Sequence, residues 1–106
     1  MNTAQDAAPG GGCARRAEVA TANASRYLQQ LCKHFGHKAD VRFDATSGEA
    51  ALPPGPCTMA ADDAKLAITV TAHDDDGLTR AKFIVDKHLE RFAFREGFTA
   101  MDWTDA

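Results

Sequence analysis

Between Lys38 and His73 apolar side chains return at every second position: Val41, Phe43 and Ala45, then Ala50 and Leu52, then Cys57, Met59 and Ala61, then Leu66, Ile68, Val70 and Ala72. That period is the one at which a β-strand turns successive side chains to the same face. The alternation breaks at Thr46-Ser47-Gly48, at Pro53-Pro54-Gly55-Pro56 and at Asp62-Asp63, residues that close turns and interrupt ladder pairing. The pattern predicts a meander of four antiparallel strands with one apolar face, and something else in the chain has to cover that face.

Two helical stretches supply the cover. Ala24, Tyr27, Leu28, Leu31 and Phe35 fall at i, i+3, i+4, i+7 and i+11, with Arg26, Gln29, Gln30 and Lys33 opposite. Thr21 or Asn23 can cap the start of this helix, and Gly36 can stop it through a left-handed turn. After the meander, Asp74-Asp75-Asp76 favours the positive end of a second helix, whose apolar face is Leu78, Ala81, Val85, Leu89 and Phe92 and which ends near Gly97. Arg16 to Ala20 alternates as a short strand, and Phe98 to Trp103 offers a last edge strand.

The order β-α-β-β-β-β-α, with that final edge strand, predicts a single-domain α+β fold. An antiparallel sheet of about five strands carries both helices on its apolar face in a helix-grip or TBP-like arrangement. At 106 residues the chain supports one core. Residues 1–14 read as a disordered tail, because Ala, Gly and Pro through Gly10-Gly11-Gly12 leave little to bury, and residues 15–106 as the domain.

Charge and cysteine content exclude several classes of function. A net charge of −3 from 12 basic and 15 acidic residues does not suit a nucleic-acid binder held by excess Lys and Arg. No apolar run approaches the roughly 18 residues of a membrane helix, and the first residues do not form a secretory leader. Three cysteines at irregular positions, Cys13, Cys32 and Cys57, fit reduced thiols, so the expected location is the cytoplasm. No Gly-rich phosphate loop, Gly-x-Ser-x-Gly elbow or His-Glu-x-x-His helix occurs, so no catalytic residue is assigned and no cofactor is required.

Two features could carry function. The first is Cys32-Lys33-His34-Phe35-Gly36-His37, rich in metal-ligating side chains. On a regular helix Cys32 and His34 lie about 160° apart and cannot share an ion. A metal would need His34 and His37 together with His88 of the second helix. The bland alternative is two histidines near a helix C-terminus, where positive charge is favoured, and a half-buried His88 with a backbone partner. The Asp62-Asp63 and Asp74-Asp75-Asp76 runs stand where turns and caps call for Asp.

The second feature is the outer side of the second helix. Arg80, Lys87, Arg91 and Arg95 form a basic stripe there, with Phe83 and Phe94 on the neighbouring face. Residues 77–96 hold five basic and three acidic side chains in an otherwise acidic chain. Exposed aromatics flanked by Arg are enriched at contact surfaces, so this stripe is a candidate binding surface for an acidic partner or anionic ligand.

The segments Ala24 to His37 and His88 to Glu96, with Val41-Arg42-Phe43-Asp44 and Ala61-Asp62-Asp63, resemble the bacterial domain of unknown function 2218 family over about Arg16 to Trp103. The positions that match include Arg26, Tyr27, Cys32, His34, His37, His88, Glu90, Arg91, Phe92, Arg95 and Glu96, and the family implies no role for any of them. What the resemblance implies is a stand-alone or fused accessory domain. Its relatives are sometimes joined to flavin-dependent siderophore-interacting reductases, so such a reductase is the expected partner. The leading expectation is therefore a non-enzymatic binding domain linked to iron–siderophore use. The alternative is a metal-binding protein using His34, His37 and His88.

Overall fold

The computed structural model describes residues 13–96 and 101–105, with Phe94 described in its backbone alone. Strand β1 spans Cys13–Ala20, helix α1 Ala24–Phe35, strand β2 Val41–Phe43, β3 Ser47–Leu52, β4 Gly55–Ala61 and β5 Lys65–Ala72. Helix α2 runs Asp75–Ala93 into a 3-10 turn at Phe94–Glu96, and strand β6 is Thr104–Asp105. The strands form one open sheet in the order β2-β3-β4-β5-β1-β6, all neighbours antiparallel. Among the described residues no helix is long and apolar enough to cross a membrane.

The meander forms as the alternation predicts. Ala50, Leu52, Cys57, Met59, Ala61, Leu66, Ile68, Val70 and Ala72 are all buried on the face that both helices cover. Its turns are held by carboxylates. Asp44 Oδ1 accepts the backbone N–H groups of Thr46 and Ser47, each at 2.9 Å, and Asp62 Oδ1 accepts those of Ala64 and Lys65, each at 2.8 Å. Asp62 therefore performs the turn function that residue type suggests. Ala45 lies outside any strand, and Phe43, the last residue of the three-residue edge strand β2, is 37% exposed.

Small residues set how closely the layers approach. A Cβ added at Gly48 would lie 2.8 Å from Cys32 Sγ and 3.1 Å from Leu28 Cδ2, so α1 rests directly on β3 there. Leu28, Leu31 and Cys32 are fully buried in the resulting contact. On the other helix Leu78, Ala81, Val85 and Leu89 are buried as expected, and Ala93 extends the stripe, while Phe92 is half-buried at its edge.

Several boundaries differ from the sequence expectation. Strand β1 starts at Cys13, inside the segment read as tail, because Cys13 and Ala14 pair with Ala72 and Thr71 of β5. Residues 1–12 of that tail lie outside the described residues, as do residues 98–100 of the Phe98–Trp103 stretch, and Met101 to Trp103 form no strand. The last strand is Thr104–Asp105 instead, paired with Arg16 and Arg15. Helix α2 ends at Ala93 before the 3-10 turn. Gly36 adopts a right-handed helical conformation (φ −60°, ψ −16°), so α1 tightens through its final turn without a left-handed residue. No side chain caps α1: Asn23 and Thr21 both turn to Glu96. At α2, Asp74 does cap, its Oδ1 accepting the Gly77 N–H at 2.8 Å.

Candidate functional site

The C-terminal turn of α1 is wound tightly enough to bring successive polar side chains to one place. The Gly36 N–H donates to the Cys32 carbonyl (2.9 Å), His37 to His34 (3.2 Å), and Lys38 and Ala39 both to Phe35 (3.0 and 2.9 Å). With Phe35 anchored in the core, His34, His37 and Lys38 emerge beside the flank of α2 that carries Ile84 and His88. The β3–β4 turn closes the other side with Leu52 and Pro53. The result is a cleft of about 490 Å³, within the range of small-molecule sites.

Rings dominate its wall. The His34 and His88 ring centroids are 4.7 Å apart and edge-on, Phe35 and His88 5.1 Å, and His34 and His37 6.0 Å. Phe92 lies 6.1 Å from His34. His88 Nδ1 is 2.7 Å from the Ile84 carbonyl oxygen, which can only accept, so this nitrogen carries a proton. Burial pushes the His34 pKa below its ordinary value, and the positive potential of His88, Arg91 and His37 pushes it further the same way.

The structure thus brings His34, His37 and His88 to one cleft. Cys32 is fully buried against β3, where desolvation raises its pKa, and it takes no part. Among the described residues no group of three His, Cys, Asp or Glu side chains is disposed to hold a metal ion.

The outer side of α2 presents Arg80, Phe83, Lys87 and Arg91, all exposed, with Arg95 exposed in the turn beyond. Phe83 is 61% exposed and is one of two large apolar side chains so exposed among the described residues, the other being Phe43 on the far edge of the sheet. The Phe94 side chain lies outside the described residues.

The remaining cleft residues, Lys38, Ala39, Leu52, Pro53 and Ile84, carry no local sequence signal. Pro53 reads as a turn former and Ile84 as an ordinary flanking apolar residue; only packing of the β3–β4 turn against the helix pair makes them a wall.

These features define a class: a small α+β domain with an open antiparallel sheet, a helix pair on one face and a histidine-lined cleft between them. The chain belongs to the bacterial family described as "Uncharacterized protein conserved in bacteria (DUF2218)", whose model matches residues 16–104. It is similar to PA4090 from Pseudomonas aeruginosa, known from an NMR structure. The two share 28% identity over 87% of this chain and 95% of that one, with a TM-score of 0.72. A comparison with curated proteins finds no match.

Proposed function

We infer that this chain is a non-enzymatic binding domain and that the outward side of α2 is the surface on which a partner protein docks. The observation that carries the reading is the exposure of Phe83 on the same side of the helix as Arg80, Lys87 and Arg91. A ring left 61% in water contributes nothing to the core, and guanidinium groups around it suit a partner with an acidic rim and an apolar socket. The family resemblance makes a flavin-dependent siderophore-interacting reductase the first partner to test.

The test is calorimetric titration of such a reductase with the wild-type chain and with the Phe83→Ala/Arg91→Glu double variant. The double variant is expected to bind at least about tenfold more weakly, with its thermal midpoint nearly unchanged because neither side chain is buried. Equal binding by both proteins would overturn the docking surface.

A second reading, metal binding by His34, His37 and His88, draws on the 4.7 Å approach of two of the rings. Imidazole nitrogens on one zinc ion lie about 2.0–2.1 Å from it, and no three ligands among the described residues are so disposed, so this reading requires the rings to move together. Titration with zinc and ferrous iron tests it: saturable, stoichiometric shifts of all three histidine ring signals support a site, and unchanged signals dismiss it.

A further inference from the structure

The cleft between the end of α1, the β3–β4 turn and α2 combines two properties. Phe35, Leu52, Pro53 and Ile84 give it an apolar wall. Its ionisable residues, His34, His37, Lys38 and His88, are all of the kind that carries positive charge, and among the described residues no carboxylate lines it. In a chain with more acidic than basic residues this local one-sidedness has a consequence. A neutral apolar molecule would leave the basic groups desolvated without a partner, and a cation would be repelled. A molecule with an apolar body and one anionic group satisfies both parts of the wall.

We propose that this cleft binds a small organic acid, its apolar or aromatic body against Phe35, Leu52, Pro53 and Ile84 and its carboxylate among His34, His37, Lys38 and His88. The site lies on the flank of α2 that faces α1 and does not depend on partner docking at Phe83.

The negative end of the α1 dipole works against an anion there, but its effect is reduced. The carbonyls of Cys32, His34 and Phe35 already accept N–H groups from residues 36–39. The groups that set the local potential are His34, His37 and Lys38 from the end of α1, His88 and Arg91 from α2, and none from the β3–β4 turn. Asp40, the acid nearest His37 and Lys38 along the chain, lines a different cleft beside β2 and β3, and Asp86 of α2 is engaged by Met101 and Trp103. Because His88 Nδ1 is committed to the Ile84 carbonyl, Nε2 is the ring nitrogen left for other contacts.

The probe is benzoate, with benzyl alcohol and benzylamine as neutral and cationic molecules of the same body. Each is titrated into the full chain while backbone amide and histidine ring NMR signals are followed. Benzoate is expected to give saturable shifts at His34, Lys38, Ile84 and His88, with benzyl alcohol at least about tenfold weaker and benzylamine giving none. Lys38→Gln, an exposed change that leaves the core intact, is expected to weaken benzoate severalfold. Absence of saturable shifts at millimolar benzoate would overturn the proposal, as would benzylamine binding as tightly as benzoate.

Discussion

The Tyr27 hydroxyl donates a hydrogen bond to a carboxylate oxygen of Glu96, joining the first half of α1 to the turn that follows α2. The same carboxylate accepts the Thr21 hydroxyl at 2.8 Å and the Asn23 side-chain amide at 3.1 Å. Thr21 in turn accepts the Asn23 backbone N–H at 3.0 Å, so four residues from two ends of the domain form one network. It replaces the ordinary side-chain cap of α1 and fixes the angle at which the chain enters that helix.

This network makes stability depend on pH with a definite sign. Hydrogen bonds from Tyr27, Asn23 and Thr21 hold the Glu96 carboxyl below its ordinary value of 4.5. A depressed carboxyl contributes stability that is present above the ordinary value and disappears as pH falls through the folded one. Glu96→Gln is expected to lower the thermal midpoint by a few degrees at neutral pH, and the gap to wild type should close as pH falls below the ordinary value of 4.5 and through the lower folded one. A gap that stays constant with pH would show that the ionised carboxylate is not what stabilises the junction.

Asp86 anchors the end of the chain in a comparable way. Its carboxylate accepts the Met101 N–H at 3.0 Å and the Trp103 indole N–H at 3.1 Å, while burial raises its pKa against the opposite pull of those bonds. Asp86→Ala should cost about 2 kcal/mol in urea unfolding and shift Trp103 fluorescence to the red, and Asp86→Asn, which keeps an acceptor oxygen, should cost less. The raised pKa has the reverse linkage to Glu96: it favours the folded state at low pH and ceases to as pH rises through the folded value.

At Gly55 the backbone itself is the constraint. Its φ of 157° is one that side-chain-bearing residues rarely adopt, and an added Cβ would lie 2.1 Å from the Thr71 carbonyl oxygen. Gly55→Ala is expected to destabilise by at least about 2 kcal/mol in denaturant titration, by displacing the start of β4 from β5.

The thiols offer a probe of the core. Cys57 is fully buried and its pKa is pushed up to about 12 by desolvation, while Cys32 is fully buried and raised for the same cause. A thiol reagent at mildly alkaline pH should therefore modify one cysteine quickly in the native protein, the half-buried Cys13, and all three after unfolding. Rapid loss of three thiols under native conditions would show that α1 opens readily from β3.

Sequence pattern reached the architecture because burial and backbone geometry share a period. Leu66, Ile68, Val70 and Ala72 alternate because a strand has two faces, and all four are buried. Leu28, Leu31 and Phe35 recur with the helical period and are buried against the sheet. The same reasoning missed how α1 begins and how the chain ends. Nothing local to Asn23 or Trp103 tells that Glu96 or Asp86, far along the chain, will take their hydrogen-bonding groups.

The candidate sites divide along the same line. His34, His37 and His88 were visible as residue types, and Arg80, Phe83, Lys87 and Arg91 as one side of a helix, since both properties are local. That the three histidines share a cleft with Leu52 and Pro53, and that no acid among the described residues enters it, was decided by the packing of α1, the β3–β4 turn and α2. Period and composition determine which side chains leave water; the separation and charge of the groups lining a cleft follow from where distant segments meet, and only tertiary contact specifies that.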